Sequence, residues 1–312
     1  MKKRTALVVL CYITLYIVWS STYFFIKQSV ATIPPFFVVA ARWLVGGVLL
    51  LGFSVARGKL KSLPTPREIL SAVLLGTLLL LLGNGLLSYA EVKIDSYIAA
   101  LLASSTPILV TIFDRLVIGK RLTPIRIAAV LVGFAGVALL LYDGRSLASS
   151  LNASVLIGLA GVIFWGLATS LGHRMPVSRD NTVNSGIQML FVGIASLVIS
   201  LLAEPSPRDF LPNVTAGSAF GVAYLAIVGS LAFVAYTYLI ANEPAERVVS
   251  YALVNPALAL FLGLALGNES ATPLLFAGFP LILLGLVLML YGEGLLAMLR
   301  GKTRGKAPRE PV

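Results

Sequence analysis

The side chains with most chemistry to offer lie where the sequence is otherwise apolar. In the first apolar run Tyr12, Tyr16, Trp19, Ser20, Tyr23 and Lys27 recur at steps of three and four, which places them on one face of a helix. Ring faces and hydroxyls in such a stripe suit a small zwitterion or an aromatic solute held in a cavity. The same stripe also suits packing against a neighbouring helix, with hydroxyls bonded to their own backbone carbonyls. Trp165 lies near the middle of the sixth apolar run, as Trp19 does in the first, and Thr169 follows it by one helical turn. Trp43 is the weaker candidate, because tryptophans near span ends belong to the interfacial belt.

Further polar groups fall in other runs. Thr77, Asn84 and Ser88 line up in the third, while Tyr97, Ser104, Ser105 and Ile108 line up in the fourth, next to Pro107. A proline removes a backbone donor and frees carbonyls, which serve either a solute or merely a helix kink. In the ninth run Tyr251 and Asn255 are one turn apart, and Asn255 directly precedes Pro256. An amide in mid-membrane is costly unless bonded, so Asn84 and Asn255 are the leading polar candidates. Tyr224, Ser230, Tyr236 and Tyr238 do not share a face and divide between cavity and interface.

Charge within a span costs about 2.5–3.5 kcal/mol at a helix centre, so each instance needs a role. Arg42 either attracts a substrate carboxylate, or snorkels outward, or pairs with Glu91 or Asp95. Lys27 and His173 are gate candidates or ordinary interfacial anchors, and Asp114 with Arg115 reads as a paired or solvated span end. No Asp or Glu occupies the middle third of any span, so a carboxylate proton relay has no evident carrier. This favours facilitated diffusion or exchange. An enzyme would need paired aspartates, a histidine set or a nucleophile with its base. One histidine and one cysteine, Cys11, supply none of these, so no catalytic residue, metal or cofactor is expected.

These candidates must be positioned by membrane helices. The chain has 312 residues, of which 58% are hydrophobic and 12% charged. Soluble domains have about 45–50% and about 25%. With a mean hydropathy of +0.94, too few polar residues remain to coat a soluble surface. A bilayer core of about 30 Å needs about 20 apolar residues per helix. Cutting the chain at its charged, Pro-rich or Asn-rich breaks predicts ten spans, at 6–30, 35–56, 68–90, 95–117, 124–142, 153–173, 182–203, 215–240, 247–267 and 272–299. The first is too long for a signal peptide and lacks a small-x-small cleavage site.

The net charge of +11 has a topological meaning. With the N-terminus in the cytoplasm, 19 of the 24 Lys and Arg fall inside, three outside and two within spans. This positive-inside asymmetry predicts a multi-pass protein of the plasma membrane, the inner membrane in bacteria, with both termini cytoplasmic. The basic balance therefore speaks for lipid, not nucleic acid. Asn152, Asn213 and Asn268 sit in sequons just before helices and read as caps. The tail 300–312 is basic and reads as a lipid-facing cytoplasmic end.

Sliding the chain by 149 residues superposes Tyr89 on Tyr238, Pro107 on Pro256, Gly136 on Gly285 and Tyr142 on Tyr291. A shift of 146 superposes Trp19 on Trp165, Lys27 on His173 and Gly47 on Gly193. Residues 1–149 and 150–299 thus read as two five-helix repeats followed by the tail 300–312. An odd number of spans inserts the second repeat upside down.

The order and spacing of several short motifs resemble the EamA-type branch of the drug/metabolite transporter superfamily. They are Trp19-Ser20-Ser21-Thr22 with Lys27, Ala41-Arg42-Trp43, Ala99-Ala100-Leu101-Leu102 leading to Pro107, and Gly119-Lys120-Arg121-Leu122 leading to Gly133 and Gly136. Gly267-Asn268-Glu269 through Gly285 loosely repeats that last junction. One departure is Lys120, where the family often has Glu; Glu269 stands in the second half. The resemblance spans about residues 6–292. It implies an all-α fold of ten transmembrane helices in two inverted five-helix units, and a central cavity lined mainly by spans 1, 3, 4, 6, 8 and 9. It also implies export of amino acids, aromatic ones included, or of related metabolites. The expected partners are a small-molecule substrate and the bilayer. A same-fold carrier of anionic solutes such as nucleotide sugars or sugar phosphates is the alternative, with an intramembrane enzyme a distant one. An anionic substrate favours central Lys or Arg, and here Arg42 and Lys27 are both off-centre.

Overall fold

The computed structural model describes residues 2–58, 64–119, 123–141, 152–172, 174–243, 248, 251–267 and 275–299. His173, Lys120, Asn268, Glu269 and the tail 300–312 lie outside them. Every element among the described residues is helical. In chain order the principal helices are α1 (Thr5–Val30), α2 (Pro35–Ala56), α3 (Pro66–Ala90) and α4 (Ser96–Val117). Then come α5 (Pro124–Leu141), α6 (Ala153–Gly172) and α7 (Asn181–Ala203). The last are α8 (Ala216–Asn242), α9 (Tyr251–Leu266) and α10 (Leu275–Leu299). Eight of them, α1–α4, α6–α8 and α10, are long and apolar enough to cross a membrane. Helices α5 and α9 are apolar but shorter. Side chains such as Leu49, Phe53 and Leu202 project outward from the bundle, as a lipid-facing surface requires.

The helix starts follow local chemistry. Thr65 and Glu68 form a reciprocal capping box at α3, with the Thr65 N–H donating to Glu68 at 2.7 Å. Asp180 accepts from the N–H groups of Thr182 and Val183 at α7, and Thr215 caps α8. Asn152, one of the sequon asparagines, accepts from the Val155 N–H at 3.0 Å and so acts as a cap for α6. Helix α2 begins at Pro35, whose missing donor is harmless there. Its next two N–H groups, from Phe36 and Phe37, donate to the Glu204 carboxylate at the end of α7. That cross-helix cap has no counterpart in sequence reasoning.

Four helices contain wide π-helical turns, at Leu15–Trp19 in α1, Thr77–Gly85 in α3, Asp114–Ile118 at the end of α4 and Leu225–Gly229 in α8. Helix α4 also breaks at Ser104–Ser105, just before Pro107. There the hydroxyls of Ser104, Ser105 and Thr106 donate to the carbonyls of Leu101, Leu102 and Ala103 at 2.6–2.7 Å. The carbonyls just before the proline thus have hydroxyl partners within their own helix, which suits the kink reading.

Among the helix pairs that approach backbone to backbone, two do so reciprocally. A Cβ added at Gly47 of α2 would stand 2.6 Å from the backbone nitrogen of Leu190 in α7. One added at Gly193 of α7 would stand 2.6 Å from that of Leu44 in α2. Helices α5 and α10 meet likewise, with Gly136 against the Ile282 nitrogen at 2.7 Å and Gly285 against the Gly133 nitrogen at 2.6 Å. Small residues allow such contact where apolar burial cannot drive association.

Candidate functional site

Trp19 leaves the π-helical turn of α1 pointing into the bundle, and the ring of Trp165 from α6 meets it edge to face at 5.4 Å. Tyr236 from α8 packs on Trp19 at 4.8 Å and on Trp165 at 5.6 Å. Tyr251 from α9 meets Trp19 edge to face at 4.9 Å and Tyr236 at 6.3 Å. Four helices thus deliver four rings to one point, in the tilted and edge-on arrangements that the ring quadrupole favours. The Tyr236 hydroxyl is bonded to Thr169 at 2.8 Å, which fixes the ring between α6 and α8.

Two spaces adjoin this cluster. On one side is a cavity of about 50 Å³, bordered by Trp19, Tyr23, Asn84, Thr106, Trp165 and Tyr251. On the other is a vestibule of about 1070 Å³, which reaches Thr169 and Tyr236 and extends to the loop before α7. The cavity has room for a few water molecules at most, and the vestibule is large enough for a metabolite.

The polar candidates divide into those at this point and those elsewhere. Ser20 donates to Asn255 Oδ1 at 2.8 Å, joining α1 to α9, and Asn255 is only 2% exposed. Asn84 borders the cavity and accepts from Arg42 Nη1 at 3.1 Å. Arg42 does not snorkel: it is 1% exposed, its guanidinium lies over the Trp43 ring at 4.1 Å, and it feels the charge of buried Glu91. Lys27 donates to the carbonyls of Glu91 and Ile94 at 2.9 Å each, so it caps the end of α3 as a cation suits a helix C-terminus. Ser88 turns back on the Asn84 carbonyl at 2.8 Å.

Several expected site residues are not brought to the cavity. Tyr12 and Tyr16 meet at 6.0 Å and pack on the same apolar core as Trp19, Tyr236 and Tyr251, but neither borders the cavity. A π-helical turn lies between Tyr12 and Tyr23, and its extra residue shifts the helical face by about 100°. Tyr97 packs among Ala99, Leu101 and Leu102 in a second apolar core, and Ser104 is bonded within its own helix. Pro107 lies in the first turn after the α4 break, and Pro256 lies inside α9. Conversely, Tyr236 was not singled out from the other tyrosines of α8, and Thr22 and Thr106 also border the cavity. Their one signal was a mid-span polar group in a helix of the expected cavity set.

Away from this point, Asp114 accepts from Ser170 at 2.6 Å, tying α4 to α6. Asn181 donates to the Val234 carbonyl and to Thr237 at 3.0 and 2.8 Å, tying α7 to α8.

Comparison with known proteins bears on the family and the fold. The chain is 35% identical over 283 residues to the protein named "Uncharacterized inner membrane transporter YedA" of Escherichia coli K12, covering 89% of both chains. It is 27% identical over 252 residues to "Protein PecM" of Dickeya dadantii, covering 79% of this chain and 80% of that protein. A solved structure described as "Crystal structure of protein" shares the fold, with a TM-score of 0.64 at 22% identity, covering 95% of this chain and 99% of its own. The model of the EamA-like transporter family matches residues 6–142 and 152–291. With the family match extending over nearly the whole chain and eight apolar helices to cross the bilayer, this multi-pass membrane protein belongs to the EamA-like transporter family.

Proposed function

We propose that this transporter exports amino acids, aromatic ones included, or closely related metabolites, by alternating access without a carboxylate proton relay. The observation that carries the reading is the cluster of Trp19, Trp165, Tyr236 and Tyr251 between a small cavity and a wide vestibule. Ring faces and edges attract an ammonium group and stack on aromatic solutes. A cavity of about 50 Å³ is too small for an amino acid, so the rings must part for a solute to pass. Movement of α1, in the first half, against α6, α8 and α9, in the second, would open the cavity to one side and close the vestibule on the other. Trp19, Tyr23, Asn84, Trp165 and Tyr251 are the proposed substrate contacts, and Ser20 with Asn255 and Thr169 with Tyr236 hold the helices that carry them.

The moving parts are proposed to be two inverted five-helix units, 1–149 and 150–299, giving ten spans with cytoplasmic termini. The reciprocal glycine contacts support this. Leu44 and Gly47 of α2 stand to Leu190 and Gly193 of α7 as a twofold relation requires, at an offset of 146 residues. Gly133 and Gly136 stand likewise to Ile282 and Gly285 at an offset of 149.

The test is efflux and counterflow of labelled Phe, Trp, Thr and Lys from proteoliposomes of wild type, Trp19→Ala and Trp19→Phe. The expected result is flux of the aromatic amino acids independent of a proton gradient, abolished by Trp19→Ala and partly kept by Trp19→Phe. Absence of flux for the whole panel, or normal flux in a folded Trp19→Ala protein, refutes the reading. Nucleotide-sugar exchange that depends on Arg42 would instead establish the anionic alternative.

A further inference from the structure

The orientation of one amide on the border of the small cavity decides what that cavity can recognise. Asn84 lies in the wide turn of α3, and Arg42 Nη1 donates to its Oδ1 at 3.1 Å. A guanidinium has donors only, so the amide oxygen must face Arg42 and the amide nitrogen is turned the other way. Arg42 is itself fixed. It lies over the Trp43 ring at 4.1 Å, and Gly229 of α8 packs so close that an added Cβ would stand 3.2 Å from Nη2. Asn84 is half-buried, and its Nδ2 has no partner among the described residues yet keeps accessible surface, unlike Asn255 Nδ2, which is sealed. Thr22 and Thr106, on the same border, spend their hydroxyl protons on the carbonyls of Trp19 and Ala103 at 2.7 Å each. The Asn84 amide thus offers the cavity its N–H groups. They lie close to the rings, since a Cβ added at Gly83, the preceding residue, would stand 3.1 Å from Trp165 Cε3. The charge around them has a sign as well: Arg42 and Lys27 stand near the buried carboxylate of Glu91, two cations to one anion.

We infer that Asn84 is the carboxylate-recognition group of this transporter: its N–H groups, aimed by Arg42, donate to the carboxylate of an amino acid whose ammonium and side chain lie against the Trp19 cluster. This rests on the amino-acid reading above and adds to it the direction in which the solute sits. Fixed donors complement a group that has only acceptors, and they turn away an ammonium, which has only donors. Hydrogen bonds to a charged acceptor are also the stronger ones. An excess of one positive charge matches the single charge of a carboxylate better than that of a phosphate monoester, about −1.5 to −2 at neutral pH. Arg42 does not touch the solute and is a positioning residue: it holds the Asn84 oxygen and so keeps the nitrogen toward the cavity.

The experiment measures equilibrium binding of labelled ligands to the full-length protein in phosphatidylcholine nanodiscs. The ligands are L-phenylalanine, phenethylamine, which lacks the carboxylate, and 3-phenylpropionate, which lacks the ammonium. Wild type should bind phenylalanine more tightly than either of the others. Asn84→Asp still accepts from Arg42 but turns an oxygen to the cavity. It should bind both carboxylates at least about tenfold more weakly, reflecting one lost bond to a charged group, and phenethylamine no more weakly than wild type does. Asn84→Ser, which is uncharged, should act in the same direction. Arg42→Gln no longer dictates which way the amide faces, so it should lower the preference for phenylalanine over phenethylamine, a ratio that a merely structural role would leave unchanged. Wild-type affinity for phenylalanine in both Asn84 variants, or equal loss of phenylalanine and phenethylamine, overturns the inference and leaves the amino-acid reading standing. Failure of wild type to bind either carboxylate overturns it too. Asn84-dependent binding of 3-phenylpropionate without binding of phenylalanine refutes the amino-acid reading and leaves the carboxylate site standing.

Discussion

Replacing Gly47 by Ala tests the tight packing of α2 on α7. The new Cβ would lie 2.6 Å from the Leu190 nitrogen and 2.9 Å from its Cα, both backbone atoms of a helix that cannot rotate aside. Ordinary contact begins at 3.4 Å, so the two helices must separate by about 0.8 Å locally. Overpacking of this kind costs about 1–3 kcal/mol. Ala also gains about 0.5–1 kcal/mol over Gly in a helix interior, which would blur the result. Gly52→Ala on the same helix removes that ambiguity, because nothing lies within 4 Å of its added Cβ. The propensity gain is common to both, so Gly47→Ala should be about 1–3 kcal/mol less stable than Gly52→Ala. Gly193→Ala, whose Cβ would lie 2.6 Å from the Leu44 nitrogen, should match Gly47→Ala. One separation of the pair relieves both clashes, so the double variant should cost less than the sum of the singles, by at least about 0.5 kcal/mol. Unfolding in mixed micelles, followed by tryptophan fluorescence, measures all four proteins. Equal stability of Gly47→Ala and Gly52→Ala, or strict additivity in the double variant, would refute the argument.

Removing one buried charge should be worse than removing both. Arg42→Met removes one of the two cations near buried Glu91, leaving Lys27, and takes the donor from Asn84, so it should destabilise by about 1–3 kcal/mol, while adding Glu91→Gln should recover part of this in the same unfolding assay. At the α2 start, Glu204→Ala strips the cap from two N–H groups and should cost about 0.5–2 kcal/mol. Glu204→Gln keeps an acceptor and should cost about 0.3–1 kcal/mol, the charge–dipole part alone. Amide hydrogen exchange at Phe36 and Phe37 should accelerate in both, and unchanged exchange would count against the cap.

The positions of the apolar helices were legible in the sequence because the bilayer imposes a length and excludes charge, whatever the packing. Helix starts at Thr65, Asp180 and Thr215 were set just as locally, by a side chain and the N–H groups two or three residues on. Trp19 and Trp165, which superpose at a shift of 146 residues, were both legible as candidates, but their contact was not. Which face of each helix turns inward was another matter. A step of three or four assumes an unbroken α-helix, and the wide turns in α1, α3 and α8 reset the face, so that Trp19 and Tyr23 border the cavity while Tyr12 and Tyr16 do not. Partners far apart in the chain were equally hidden. Nothing near Tyr236 announces Thr169, nothing near Lys27 announces the end of α3, and nothing near Phe36 announces Glu204. The sequence alone determined where the eight apolar helices long enough to cross the bilayer lie, and several of their starts. The tertiary structure decided which polar groups meet, because a buried donor or acceptor takes whichever partner the packed helices bring within about 3 Å.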